Sequence, residues 1–384
     1  MEALAVISVS CYWRVVSFRH THLVERIGLL TLIIMGEGII GMTKSVSTIL
    51  QSSTHVSPSD IGTIVASVLL IYFIWVLYFD QIEHDRFGTI RQQIWAILHY
   101  PLHVAILLTV EGSTTLILWN IIMNLSDWLF YNLPFTITDD PTLGAKNVDV
   151  LVAYINDQIV IFNDNFKNSN ISATYDYSAD LAALKNISAP YNSTDWIDEA
   201  WVIEYKIFYG VYDFLYSQFN VEAPPSKTTE NTGTNNLSEA TAKGNEALAL
   251  FNIFNTVFYY FYISAGALLV ILAVMYWFGK NHKSRGEYLS IAMRTVAGCA
   301  IMVGLIAGTN LTIAANFDFS SWLIPVVTLS YFVVIVMDSL LVWHTNKTIG
   351  RQTSTNRHEV YSKVDGSVQQ KRSVSGSSSA EHSV

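Results

Sequence analysis

The chain is poor in cysteine and in charge. Its two cysteines, Cys11 and Cys299, both lie in apolar stretches, so no disulfide framework or cysteine-based zinc site is available. Charged residues make up 14% of the 384 residues against 51% hydrophobic, a balance outside the ordinary soluble range. There is no basic patch on which nucleic acid would bind, and no nucleic-acid partner is expected. A Ser-His-Asp set, a phosphate loop and a dinucleotide fingerprint are all missing, and Gly36-Glu37-Gly38 sits inside an apolar run rather than after a strand. The chain is therefore not expected to be an enzyme, and no cofactor or metal is expected. The start also lacks the positive leader of a signal peptide. Met1 to Trp13 is apolar and precedes Arg14 and Arg19, the pattern of a half-helix with a retained inside flank.

What the chain has is long apolar runs. Stretches of about 20 apolar residues, the length a ~30 Å hydrocarbon core requires, fall near 23–48, 60–80, 94–120, 249–278, 288–312 and 321–343. The fold class is therefore all-α and integral to a membrane, with about six transmembrane helices, the N-terminal half-helix and a helical extramembrane insert. Arg14 and Arg19, Arg86 and Arg91, Lys280 to Arg285, and Lys347 to Arg357 all fall on one side if the spans alternate, as the positive-inside rule asks. The organisation follows: 1–123 membrane helices, 124–248 an acidic external or lumenal insert, 249–343 three further helices, and 344–384 a Ser-rich, disordered inner tail. The membrane is expected to be the plasma membrane or an endomembrane.

Acidity belongs to the insert. Residues 134–248 hold 16 Asp/Glu against 6 Lys/Arg, leaving 15 against 16 elsewhere. Asn170, Asn186, Asn192 and Asn236 each open an Asn-x-Ser/Thr triplet, a cluster suited to glycosylation. Trp201, Tyr205, Phe208, Tyr212, Leu215 and Phe219 recur at helical spacing opposite Glu204, Lys206 and Asp213. Such a helix either packs within the insert or lies on the membrane surface. Pro224-Pro225 to Asn236 reads as a flexible linker.

A few polar residues interrupt the apolar runs, and an ionisable group there marks function by default. His22 to Gly41 places Glu25, Arg26 and Glu37 in one helix, on a face expected to look into the bundle, with Gly36, Gly38 and Gly41 leaving room for a neighbour. Glu37 lies about 16 Å along the axis from Arg26, too far for a direct pair. Glu37 and Glu111 both fall about 20 Å from the inner surface; two carboxylates at one depth share a proton, or Glu37 is protonated and simply packs. His99 and His103 flank Pro101 on one helical face, a spacing open to a proton relay, a substrate-facing role or packing. No adjacent acidic residue completes a His-Glu metal motif. Asp80, Glu83, His84 and Asp85 cluster at the inner end of the second span, with Asp80 the candidate. Arg294 and Asp338 sit at equal depth, about 8–9 Å in, and are expected to pair and pin two helices. Ala300, Gly304 and Gly308 offer a small face for close packing.

The same residues carry a family resemblance. His22, Glu25-Arg26, Gly28 and Gly36-Glu37, with Met35 in place of a Leu, are similar to the His-x-x-Glu-Arg-x-Gly and Leu-Gly-Glu pattern of the low temperature requirement A family of membrane proteins. Trp75 to Asp80 resembles its Trp-x-x-Tyr-Phe-Asp helix end, and Arg91 with His99-Tyr100-Pro101-Leu102 its later helix. The insert and tail resemble the fungal branch. The resemblance implies an N-terminal Glu-Leu-Phe-Phe-Asp-Leu helix and further spans not found here, so the chain is expected to be a fragment. It implies no established activity. The expected function is proton-coupled movement of a small solute or ion; the alternative is a scaffold or sensor with an external binding insert. Expected partners are the bilayer, a small solute or ion, and a second copy or another membrane protein.

Overall fold

The computed structural model describes residues 22–54, 56–80, 89–133, 148–167, 169–191, 193–221, 236–279, 283, 285–308, 320–341 and 343–344. The expected half-helix, the Pro224-Pro225 linker, Asn192, Glu83 to Asp85 and the tail beyond 344 lie outside them. The helices are α1 Leu23–Ser52, α2 Pro58–Phe79, α3 Thr89–Asn132, α4 Val148–Asn163, α5 Ile171–Thr174, α6 Tyr177–Lys185, α7 Thr194–Gln218, α8 Asn236–Gly279, α9 Arg285–Gly308 and α10 Leu323–Leu341. Among the described residues four are long and apolar enough to cross a membrane: α2, Gln93–Asn132 of α3, Ala249–Gly279 of α8, and α10. The other two expected spans are helices α1 and α9, of 30 and 24 residues.

Two helices outrun any bilayer. α3 and α8 have 44 residues each, about 66 Å against a ~30 Å core, and α3 is continuous through Pro101. The insert expected over 124–248 thus begins and ends inside continuous helices. Trp119 stacks on Phe254 at 4.2 Å and Thr109 donates to Ser264 at 3.0 Å, so α3 and α8 pack along one another. α10 is tied to α2 by Thr328 donating to the Ala66 carbonyl at 3.0 Å, and to α8 by Tyr331 donating to the Ala265 carbonyl at 2.7 Å. Between α8 and α9 the backbones nearly touch: a Cβ on Gly266 would stand 2.6 Å from the Gly298 carbonyl oxygen. The close approach therefore runs through Gly298. This corrects the expectation for Ala300 and Gly304, which are exposed, Gly304 with nothing near it. At 100° per residue Gly304 is turned well away from Gly298.

The insert is built on the projecting ends. Trp128 of α3 stacks on Phe162 of α4 at 5.6 Å, and Phe166 packs against Phe214 of α7. α7 lies against α8, α6 and α3, so it packs within the insert. Enclosure on several sides also corrects the polar-face reading: Glu204 is 6% exposed, inside the insert, while Trp201 of the apolar stripe reaches its surface. The end of α1 is joined to the insert by an antiparallel bridge between Ser53 and Phe166. Around it, Thr54 N–H donates to the Asn165 carbonyl at 2.7 Å and Lys167 N–H to the Ser52 carbonyl at 2.9 Å. Thr63 of α2 donates to the Ser321 carbonyl at 3.5 Å. The α1–α2 connection, the insert and the start of α10 therefore share one end of the bundle, as alternating spans require.

Candidate functional site

α1, α2 and α3 enclose a polar cluster near the end where α1 and α3 begin. Thr31, Tyr78 and His99 are buried there. The Trp95 carbonyl can only accept, so in the neutral imidazole His99 Nδ1–H donates to it, at 2.8 Å. Nε2 then accepts from the Tyr78 hydroxyl at 3.0 Å. Thr31 commits its proton to the Ile27 carbonyl at 3.0 Å, so at the 2.8 Å contact it accepts from His103 Nε2–H. The two imidazole rings are 5.7 Å apart. His99 thus has both nitrogens engaged and His103 one, an arrangement for moving or holding a proton. Among the described residues no three His, Cys, Asp or Glu converge as metal ligands would.

Glu37 and Glu111 stand further along the same pair of helices. α1 and α3 run in parallel with a constant register: Thr31 meets His103, a Cβ on Gly38 would fall within 3.0 Å of Val110 side-chain atoms, and one on Gly41 3.9 Å from Thr114. On that register Glu37 and Glu111 differ by two residues, about 3 Å in depth. Their side follows from helix rotation at about 100° per residue. On α3, Glu111 lies one step beyond Val110, whereas Thr109, bonded to α8, lies one step before it. On α1, Glu37 lies one step before Gly38, on the flank opposite Gly28, which meets Phe79 of α2. Opposite rotations on facing parallel helices bring both carboxylates to the same side of the pair, where Tyr260 of α8 comes near Glu111. Both are exposed.

This corrects one expectation. The face of α1 that enters the bundle carries Gly28, Thr31, Met35 and Met42, all buried, while Glu25, Arg26, Glu37 and Lys44 are exposed. The glycine contact at Gly38 decides it, because only that face lets α3 come close. Glu25 Oε2 accepts from His22 Nδ1–H at 2.8 Å on the surface. Asp80 is exposed at the C-cap of α2 and does not join the histidines. Arg294 and Asp338 are brought together: Nε donates to Oδ2 at 3.0 Å, Nη2 donates to the same oxygen, and both residues are buried. Asn170 and Asn186 are exposed, at the N-cap of α5 and the C-cap of α6, and Asn236 is the first residue of α8.

Sequence reasoning missed several polar partners. Asp60 caps α2 with Ser57 and accepts from Asn120 at 2.7 Å and Asn124 at 3.2 Å. The Ser57-x-x-Asp60 spacing signals the cap, but nothing local signals the two asparagines. Thr31 and Tyr78 join the histidine cluster unannounced. A groove of about 780 Å³ between α2 and α10, lined by residues such as Ala66, Leu69, Phe73 and Phe332, has no titratable group in its lining and lies apart from these residues.

Residues 3–121 match the family model described as bacterial low temperature requirement A protein, LtrA. No curated protein and no solved structure matches the chain. The matched stretch contains α1, α2, the histidine cluster, Glu37 and Glu111. Over residues 3–121 the chain is similar to the LtrA family, and it is a multi-pass helical membrane protein.

Proposed function

We propose that this protein moves a small solute or ion across its membrane in exchange or company with protons. The observation that carries the reading is the placement of Glu37 and Glu111 within about 3 Å in depth on one side of α1–α3, Glu37 being roughly 9 Å along α1 from the Thr31–His103 contact. Carboxylates at that depth are costly unless used. His99, Tyr78, His103 and Thr31 supply hydrogen-bonded groups that pass a proton among three helices.

Flux in reconstituted vesicles under a pH gradient tests it. Glu37→Gln is expected to abolish flux with folded protein still abundant, because Gln keeps size and hydrogen bonding but does not titrate. Glu37→Asp is expected to keep part of the activity, and Glu111→Gln to shift its pH dependence. Normal proton-coupled flux in Glu37→Gln overturns the reading. A non-transporting sensor is the second reading, favoured by the Ser53–Phe166 bridge that joins the external insert directly to the end of α1.

A further inference from the structure

α2 and α10 run side by side in the same direction, with Thr63 at Ser321, Ala66 at Thr328 and Phe73 at Phe332. Between them lies the groove of about 780 Å³. Its lining starts at Ser59 and Ser321, where both helices begin, and ends at Phe73 and Phe332, whose rings stand 5.8 Å apart. From Ser59 to Phe73 it runs about 21 Å along α2, most of a ~30 Å hydrocarbon core. Gly62 adds no side chain to the α2 wall, and a Cβ there would meet nothing within 4 Å. Leu69 and Leu329 on the lips are exposed, so the groove opens sideways to the bilayer. The one hydroxyl deeper in the described lining, that of Thr328, is committed to the Ala66 and Ile324 carbonyls. The groove is therefore polar at its mouth and apolar below.

That mouth has a fixed hydrogen-bond polarity. Asp60 beside it has both carboxylate oxygens engaged: Oδ1 accepts from Asn120 and Asn124, and Oδ2 from the Ser57 hydroxyl at 2.7 Å. Ser57 has thus committed its proton, so at the 2.8 Å contact it accepts from Ser59. Thr63 donates to the Ser59 carbonyl at 3.0 Å. Ser59 and Thr63, both in the lining, can therefore only accept from a ligand. A phosphate, a carboxylate or an ester offers oxygens that only accept as well, and is mismatched. A protonated amine finds no charged partner in the lining. What complements this groove is an uncharged hydroxyl on an apolar body. We propose that it binds a membrane sterol, with the hydroxyl at Ser59 and Thr63 and the ring system along Gly62 and Ala66 toward Phe73. The volume is that of a pocket for one small molecule. A rigid ring system also gives up less freedom on binding than the two chains of a diacylglycerol, another uncharged lipid alcohol. The groove lies apart from the histidines and from Glu37 and Glu111, so the proposal holds whether or not the protein transports.

Photolabelling of the full chain in lipid nanodiscs tests it, using a cholesterol analogue with a diazirine on its ring system and its hydroxyl intact. Labelled peptides are expected from α2 and α10. Unlabelled cholesterol is expected to compete at least roughly fivefold better than cholestenone, whose ketone in place of the hydroxyl loses one hydrogen bond. It should also compete better than cholesterol sulfate and dioleoylglycerol. Gly62→Leu and Leu329→Trp, which add bulk inside the groove, are expected to cut this labelling several-fold at nearly unchanged melting temperature. Ile61→Trp, next in sequence but outside the lining, is expected to leave it intact. Two filled variants guard against one that fails to fold, and the competition on the parent chain needs neither. Equal competition by all of these lipids assigns the groove to bulk acyl chains and overturns the proposal. Stronger competition by dioleoylglycerol than by cholesterol overturns it, as does labelling absent from α2 and α10. Full labelling in both filled variants, folded, overturns it as well.

Discussion

Breaking the Arg294–Asp338 pair from one side should cost far more than removing it whole. Arg294 is 2% exposed and Asp338 9%. Both donors of the guanidinium that find a partner, Nε and Nη2, converge on the single oxygen Oδ2, while Nη1 and Oδ1 have no protein partner. Tyr276 offers its ring 5.5 Å from the guanidinium carbon. Arg294→Met or Asp338→Leu alone leaves one buried charge uncompensated, a loss of about 3–5 kcal/mol. The double substitution leaves no charge and similar volume, and for a pair already short of two hydrogen bonds the net change should be within about 1 kcal/mol of zero. At about 2–4 °C per kcal/mol, each single variant should melt at least roughly 6 °C below the parent, with the double near it. Thermal melting of purified protein in detergent, run as a double-mutant cycle, measures this. Additive losses, with the double variant the least stable, would refute the pairing as the source of the effect.

Burial without donors holds the Glu204 carboxyl at about 8 against an ordinary 4.5. The stability this group contributes is full below about 4.5 and is lost as pH rises toward 8, on the order of 4 kcal/mol in all. Glu204→Leu should therefore flatten the fall in melting temperature between pH 5 and 8, and an unchanged slope would show that Glu204 does not titrate in this range. Gly266→Ala should destabilise by about 1–3 kcal/mol because its methyl meets the Gly298 carbonyl, which cannot move aside. Gly62→Ala and Gly304→Ala, with nothing within 4 Å, should leave the melting temperature nearly unchanged. Glycans should attach at the exposed Asn170 or Asn186 and never at Asn346, whose Asn346-Lys347-Thr348 triplet opens the expected inner tail; Asn→Gln substitutions with a mobility shift on deglycosylation read this, and a glycan on Asn346 would reverse the topology.

Depth was legible in the sequence where orientation was not. Apolar runs have sharp ends at charged residues, so counting inward placed Arg294 opposite Asp338, and the structure joins them. The same counting sets Glu37 level with Glu111; α1 and α3 run in parallel from one end, and on their register the two differ by about 3 Å in depth. Where the runs lose their apolar pattern, counting fails: α3 continues through Ser126 and Asp127 to Asn132, where Trp128 stacks on Phe162 of the insert. Charge type misled at Glu204, since a polar residue was assigned to an open face on a helix that has neighbours on several sides.

The α1 face shows why rotation is harder to read than depth. A helical wheel groups Arg26, Glu37 and Lys44 on one side and Gly38 with Thr31 and Met42 on another, yet it does not say which stripe enters the bundle. Polarity argues that a carboxylate avoids lipid and turns inward. Backbone approach argues that glycine goes where helices touch. At Gly38 the second effect wins, because Val110 occupies the space that any Cβ would need, and the carboxylate is carried about 100° out of the contact. Both arguments then hold together only if the outward stripe is itself covered.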